Sequence, residues 1–147
     1  MDYQTNEFTL GLPDIASDRS VNVLTLTDAE RGTPFQVIIN RDMLLANETL
    51  QQCLERQVGL MTRQAQSFKV VSKQDGAVGE VEIPAVLVES SFSQAGKTYH
   101  QLQAMFVTEA PKLVVLTLSS HVPLHEGHRE VWKGMLNSLR PRPKQAM

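Results

Sequence analysis

The sequence predicts an α+β domain in which two helices pack on one large antiparallel β-sheet. Three observations lead to this prediction. Apolar residues alternate with a period of two over most of the chain, clusters of turn residues separate these segments, and two other segments have helical periodicity. The predicted order is three β segments, a helix, a β meander and a final helix.

The first β region begins near Glu7 and includes the run SVNVLTLT at residues 20–27. It resumes with FQVIIN at residues 35–40. Between these runs, the polar residues and glycine of 28–32 are typical of a turn that joins two antiparallel strands.

The first helix is predicted over residues 48–66. Asn47 is the expected N-cap, and Glu48 lies in the first turn, where a negative charge suits the helix dipole. One apolar stripe recurs at helical spacing. Its members are Leu50, Leu54, Val58, Met61 and Ala65.

Residues 68–120 are predicted to form the β meander. The pair Asp75-Gly76 predicts a two-residue hairpin turn, QAGK joins two further strands, and APK leads into the strand KLVVLTLSS. A last helix is predicted over residues 124–139. Its apolar residues are Val131, Trp132, Met135, Leu136 and Leu139.

Composition places the chain among ordinary folded domains. It has 147 residues, of which 41% are hydrophobic and 20% are charged, and its net charge is −2. We therefore expect a single domain over residues 1–140, a flexible basic tail over 141–147, and no nucleic-acid surface. The chain shows no signal peptide or membrane span, so we expect a cytoplasmic protein without direct membrane anchoring. The lone Cys53 is expected to be a small buried hydrophobe.

Several predicted strands carry apolar residues on both faces. In the strand around residues 99–107, one face has Tyr99, Gln101, Gln103 and Met105, while the other has apolar residues and His100. Two helices are expected to cover one face of the sheet and little more, so the second face needs another cover. A dimer interface or a sheet folded on itself would supply it, and so would a groove for an apolar ligand or helix in which glutamines bond its polar groups.

The sequence contains no recognisable catalytic motif. It lacks a phosphate-binding glycine loop and the patterns GxSxG, HExxH and CxxC. We therefore expect neither an enzyme nor a cofactor.

Three of the four histidines lie close together, at His121, His125 and His128. Two of them share an i, i+3 spacing, whereas the HExxH motif requires i, i+4, and Pro123 separates them from the first. We therefore predict surface histidines around a corner of the chain and no metal site. Glu126 is expected to complement the N-terminus of the last helix.

The segments EFTLGLP and DRSVNVLTLT resemble the DcrB-like family, which opens with a Phe-x-Leu-x-x-Pro strand followed by Asp-x-Ser-x-Asn-x-Leu. The second motif is matched here by Asp18, Ser20, Asn22 and Leu24. The resemblance covers residues 2–139. The chain departs from the family pattern in having Asp14-Ile15 where an aromatic residue often follows Leu-Pro, and in lacking a lipoprotein signal.

The chain looks most like the cytoplasmic effector-associated (Eag) chaperones of bacterial type VI secretion. The resemblance implies a homodimer of a Mog1/PsbP-like fold with a strongly curved sheet. It also implies that the chaperone shields the N-terminal transmembrane helices of a PAAR-domain effector before loading on the VgrG spike. The expected client-binding residues are Leu24, Leu26, Ile38, Gln57, Gln101, Gln103 and Met105.

Two other interpretations stay open on the sequence. In the first, the second apolar face makes a constitutive dimer, and the protein is a scaffold or regulatory module without a client groove. In the second, the histidines bind a metal. Light scattering with a hydrophobic dye separates the first from the chaperone, and elemental analysis for zinc tests the second.

Overall fold

A computed structural model describes residues 2–4, 9–11, 20–109 and 112–140 of the chain. It confirms the predicted α+β architecture, in which two helices pack on a curved antiparallel sheet. The predicted tail at 141–147 and most of the APK turn lie outside the described residues. The elements are β1 Asp2–Gln4, β2 Thr9–Gly11, β3 Val21–Thr27, β4 Pro34–Met43, α1 Leu50–Gln64, β5 Gln66–Val78, β6 Ile83–Gln94, β7 Lys97–Glu109, β8 Lys112–Ser120 and α2 Glu126–Ser138.

Six strands form the main sheet in the order β3-β4-β8-β7-β6-β5, and every neighbouring pair is antiparallel. Strands β5 to β8 are the predicted meander. Strand β8 then inserts beside β4, which places the β3–β4 hairpin at one edge of the sheet and β5 at the other. Strands β1 and β2 pair with each other in a separate two-stranded sheet. Among the described residues, no helix combines the length and apolar character of a membrane span.

The two helices pack on opposite faces of the sheet. On one face, Trp132 and Leu136 of α2 join a core with Leu102, Leu118 and other residues of the central strands. On the other face, Cys53 and Leu54 of α1 pack with the alternate residues of the same strands, including Val88, Met105 and Val115. The expectation that both helices cover one face was therefore wrong, since a strand with apolar residues on both sides needs a cover on each side.

Helix α1 begins two residues later than predicted. Its N-cap is Thr49, whose hydroxyl accepts a hydrogen bond from the backbone of Gln52, while the Gln52 side chain accepts one from the backbone of Thr49. This reciprocal pair is a capping box. Asn47 instead adopts a positive φ of 61°, so the prediction of Asn47 as N-cap was wrong. Asparagine tolerates this left-handed conformation, which the turn before the helix uses.

The predicted hairpin at Asp75-Gly76 was also wrong, because β5 continues straight through both residues. Asp75 is paired with Val86, and Gly76 with Ala85. A Cβ atom added at position 76 would lie 2.9 Å from the Cδ1 atom of Leu87. Gly76 thus gives room to Leu87, a use of glycine in strands that local turn propensity does not reveal. The chain reverses at residues 79–82 instead.

The β3–β4 turn is joined to the start of α2 by Asp28, His125 and His128, named here the clasp. Asp28 Oδ1 accepts a hydrogen bond from the backbone of Glu30, and its Oδ2 lies 2.6 Å from His125 Nε2. His125 is the N-cap of α2, since its Nδ1 accepts a hydrogen bond from the backbone of Gly127. His128 Nδ1 accepts another from the backbone of His125.

The clasp corrects the expectation that the histidines are at the surface. His128 is only 1% exposed and its ring lies edge-on to Phe35, with centroids 5.2 Å apart. His121 is exposed, as expected. The spacing of His125 and His128 that looked like an incomplete metal motif is the N-cap to N3 spacing of a capping box. The predicted first-turn position of Glu126 is confirmed.

We predict that Gly79→Ala destabilises the fold much more than Gly32→Ala. Both glycines have a positive φ, which costs an L-residue about 1 kcal/mol. An added Cβ meets nothing within 4 Å at Gly32, whereas at Gly79 it would lie 2.5 Å from the backbone oxygen of Leu139. The Gly79 N–H also donates to the Leu136 carbonyl at the end of α2. Urea unfolding should show a loss of about 3 kcal/mol for Gly79→Ala and about 1 kcal/mol for Gly32→Ala. Equal losses would contradict this explanation.

We also predict that the clasp makes stability fall with pH below about 6.5. Burial, and then the neighbouring His125, lower the pKa of His128 below its ordinary value of 6.5. Below about pH 6.5 the unfolded chain therefore binds a proton at His128, whereas the native chain does not. The free energy of unfolding is therefore highest above pH 6.5 and decreases as the pH falls, by at most about 1.4 kcal/mol per pH unit.

The measurement is urea unfolding at pH 7 and pH 5.5, above the range in which the carboxylates titrate. His128→Gln keeps an acceptor for the His125 N–H but does not titrate, so its stability should change less over this interval than that of the wild type. The exposed His121 is the matched control, and His121→Gln should retain the wild-type slope. A His128→Gln variant with an undiminished slope would show that His128 is not the responsible group.

Candidate functional site

Helix α1 leaves part of its sheet face open. It contacts β5, β6 and β7 and packs with Val115 of β8, while on the same face the rest of β8, β4 and the edge strand β3 lie farther from it. Between the helix and the sheet is a cavity of about 260 Å³, named here the α1 groove, whose sheet residues come from strands β4 to β8. Its lining residues are Ile38, Asn40, Leu54, Gln57, Val58, Met61, Phe68, Val88, Phe92, Gln101, Gln103 and Thr117.

The register of the strands explains why these residues meet. Val23, Ile38, Thr117, Gln103 and Val88 are successive cross-strand partners from β3 to β6. Partners in register point to the same face of a sheet. They therefore form one row on the α1 side of the sheet. Its members from Ile38 to Val88 line the floor of the α1 groove, which is apolar at both ends and polar at its centre.

The polar centre of the groove consists of two glutamine–hydroxyl pairs. Gln103 Nε2 donates to Thr117 Oγ1 at 3.2 Å, and Gln101 Nε2 donates to Ser119 Oγ at 3.2 Å. Both glutamines are half-buried. A carboxamide whose nitrogen is held in this way keeps a carbonyl oxygen that can accept further hydrogen bonds. The groove floor can therefore bind a donor group, such as a hydroxyl or an amide N–H, within an apolar surface.

Aromatic rings form one end of the groove. Phe92 stacks on Tyr99 with ring centroids 4.9 Å apart, and Phe68 lies 6.4 Å from Phe92. The His121 ring lies edge-on to Tyr99, with centroids 4.6 Å apart. Aromatic rings provide a large apolar contact area with little conformational freedom to lose, so this end of the groove is an apolar contact surface.

The α1 wall is fixed at its N-terminal end by a bidentate ion pair. Arg56 donates to both carboxylate oxygens of Glu48, at 2.9 and 3.0 Å. This contact lowers the pKa of Glu48 to about 2, so the carboxylate is ionised at neutral pH. One and two turns beyond the buried Cys53 and Leu54, Gln57 and Met61 extend the helix along the groove. Burial raises the pKa of the Cys53 thiol, and the buried side chain packs in the core beneath α1.

The structure brings together four of the seven residues predicted to bind a client. Ile38, Gln57, Gln101 and Gln103 all line the α1 groove. Met105 faces the same side, but it is 2% exposed and belongs to the core beneath α1. Binding by these residues stays a prediction.

The other two predicted residues lie on the opposite face. Leu24 is the cross-strand partner of Val37, a residue of the α2-side core, and Leu26 packs against that same core. Leu24 is 53% exposed, but at the edge of the sheet on the α2 side. Successive residues of a strand point to opposite faces, so Leu24 and Leu26 share one face. The sequence did not show that α1 covers the other face.

Several groove residues were not among the predicted ones. Thr117 and Ser119 alternate with Leu116 and Leu118 in the run LTLSS, so their separation from the apolar face could have been read from the sequence. Phe68 and Phe92 are far apart in sequence and meet only through the pairing of β5 with β6. That contact depends on register, which has no local signal.

The clasp is the other cluster with chemical capacity. One ligand atom from each of Asp28, His125 and His128 lies within 4.8 Å of the others, a spacing compatible with a single metal ion. However, Nδ1 of both histidines accepts a backbone N–H, so the single proton of each neutral ring must be on Nε2. A protonated nitrogen cannot bind a metal, and histidine ligands normally donate from their other nitrogen. These hydrogen bonds fit a helix cap and do not fit a metal centre.

Comparison with known proteins agrees with the fold and identifies the family. A Pseudomonas aeruginosa protein described as Effector EagT6 is 24% identical over 141 residues, which cover 96% of each chain. The crystal structure of PA94, a protein of unknown function from Pseudomonas aeruginosa, superimposes with a TM-score of 0.81 and 23% identity over 98% of each chain. The family model for DcrB matches residues 7–138. The chain therefore belongs to the DcrB family.

Proposed function

We propose that the protein is a cytoplasmic chaperone that binds the N-terminal transmembrane segments of a type VI secretion effector. The observation that carries the proposal is the open α1 groove, an apolar surface with a polar centre on a sheet face that α1 covers only in part. The similarity to a protein described as Effector EagT6 supports the connection to an effector. The effector is expected to carry a PAAR domain and to be loaded on the VgrG spike.

The size of the groove suits a helix as the bound element. An α-helix with its side chains is about 10 Å wide, and the open face beyond α1 comprises three strands spaced about 4.8 Å apart. A client helix lying on β8, β4 and β3 would therefore have α1 as a side wall. Ile38 would contact its apolar side chains.

The glutamines allow this surface to form hydrogen bonds with a client, which a purely apolar surface could not do. Transmembrane segments include serine, threonine and glycine positions, whose hydroxyls and backbone groups need partners outside the bilayer. Gln101 and Gln103 can supply acceptors at the groove centre, and Gln57 supplies a third amide from the α1 wall. A groove that is mostly apolar with a few polar groups can thus hold many different apolar helices without requiring one sequence.

The proposed activity is binding without turnover. An apolar helix exposed to water would aggregate, and a chaperone that binds it stabilises the dissolved state by mass action. This activity needs no metal, cofactor or catalytic residue, and we propose none. As a homodimer, the chaperone would present two such surfaces to its client.

We predict that a negative charge in the groove abolishes client binding. The test variant is Gln101→Glu/Gln103→Glu, which keeps the size of both side chains and the contacts with Thr117 and Ser119. Because a carboxylate held against an apolar helix loses its hydration, the dissociation constant should rise at least tenfold. The probe is an N-terminal fragment of the effector that has one apolar helix of about 20 residues and is fused to a fluorescent protein. Titration of this probe with each chaperone variant gives the dissociation constant.

The matched control is Gln74→Glu, which makes the same change at an exposed position on the α2 side of the sheet, opposite Leu87. It should bind the fragment like the wild type. If the double variant is folded and binds with unchanged affinity, the α1 groove is not the binding surface. If neither the wild type nor the control binds the fragment, the chaperone proposal fails, and the scaffold interpretation replaces it.

A further inference from the structure

The α2 side of the sheet has a cavity of about 380 Å³, which lies between α2 and strands β5, β6 and β7 and is named here the α2 cavity. Its floor includes Leu87 and Leu102, which pack in or against the α2-side core. The cavity is therefore on the face opposite the α1 groove. A volume of this size holds about a dozen water molecules and is within the range of small-molecule sites.

The inner wall of the α2 cavity is apolar. Leu87 and Leu102 supply it from the sheet, and Trp132 and Leu136, which are one turn apart, supply it from α2. Trp132 and Leu136 are each 8% exposed and are held in the core by packing. The wall thus exists before any ligand binds, as in most small-molecule sites.

The rim of the cavity carries a net positive charge. Its titratable residues are Glu89, Arg129 and Lys133. Arg129 donates to both carboxylate oxygens of Glu89, at 2.7 and 3.3 Å, so these two charges compensate each other. Lys133 is exposed and has no ion pair or hydrogen bond with another described residue. One uncompensated positive charge therefore lies beside the apolar wall.

Neutral polar side chains complete the rim. Ser72 and Gln74 extend from β5, and Asn137 follows Lys133 by four positions, on the same side of α2. In the part of the chain that the structure describes, none of these three side chains has a hydrogen-bond partner. An ammonium group with an amide N–H next to it suits a carboxylate, which accepts hydrogen bonds at both oxygens.

We propose that the α2 cavity binds a small amphipathic carboxylate, namely an apolar chain with one terminal carboxylate group. The chain lies against Leu87, Trp132 and Leu136, and Lys133 binds the carboxylate at the rim with Asn137 beside it. The single free positive charge of the cavity matches the single negative charge of such a ligand. The proposal does not rest on the proposed function, because the α1 groove is on the other face of the sheet.

The position of Trp132 allows binding at this cavity to be measured directly. It is the one tryptophan of the chain, and bromine quenches tryptophan fluorescence at contact distance. The probe is a brominated decanoate, titrated into the full-length protein without any client. Quenching should saturate below about 1 mM. Decanoate, decanol and decylammonium then compete with the probe, and decanoate should compete best because its charge alone is complementary to the rim.

The test variant is Lys133→Gln, which removes the free charge at an exposed position. Its dissociation constant for decanoate should rise about fivefold, and its preference for decanoate over decanol should disappear. Lys133→Glu should reverse the preference, so that decylammonium competes best. The matched control is Lys97→Gln, which removes the same charge at an exposed position that does not line the cavity and should bind decanoate like the wild type.

The outcomes separate this site from the α1 groove. Quenching that persists in Gln101→Glu/Gln103→Glu and follows the charge at position 133 confirms the proposal, whether or not the effector fragment binds. Absence of quenching in the wild type up to about 1 mM overturns it. Equal competition by the three decyl compounds, or an unchanged preference in Lys133→Glu, also overturns it, because the cavity would then select for apolar character alone.

Discussion

The alternation of side chains along antiparallel strands is the constraint on which the rest of the structure depends. Strand β7 sends Leu102, Ala104 and Phe106 to one side of the sheet and Gln101, Gln103 and Met105 to the other. Both sides contain apolar residues, so each needs a cover, and the chain supplies one helix for each. A single helix spans only part of a six-stranded sheet. The uncovered remainder on the α1 side is the surface to which we assign the function.

The polar residues of that surface are as informative as the apolar ones. If the face were only an incompletely covered core, glutamines at its centre would lower the stability of the fold and serve no purpose there. Their amide nitrogens are held by Thr117 and Ser119, which sets the orientation of both side chains before any ligand arrives. A preorganised acceptor loses little freedom on binding. This arrangement is consistent with an apolar partner that carries a few donor groups.

The sequence predicted the element types, the two helical stripes and the sorting of residues within each strand. It did not predict which face each helix covers. Periodicity separates the residues of one strand into two faces, but it does not show which helix packs on each face. This is why Ile38, Gln57, Gln101 and Gln103 came together while Leu24 and Leu26 did not. The histidines are a second example. Only the contact of His125 with Asp28, nearly a hundred positions earlier in the chain, shows that they cap a helix.

The central claim is that a client lies on the α1 side of the sheet, and neighbouring residues of β3 test it most directly. Val23 and Leu24 are equally exposed and point to opposite faces. A photo-crosslinking amino acid is placed at either position, and each variant is irradiated with the effector fragment bound. We expect a crosslinked product from position 23 and none from position 24. Crosslinking from position 24 alone would place the client on the α2 side and contradict the claim.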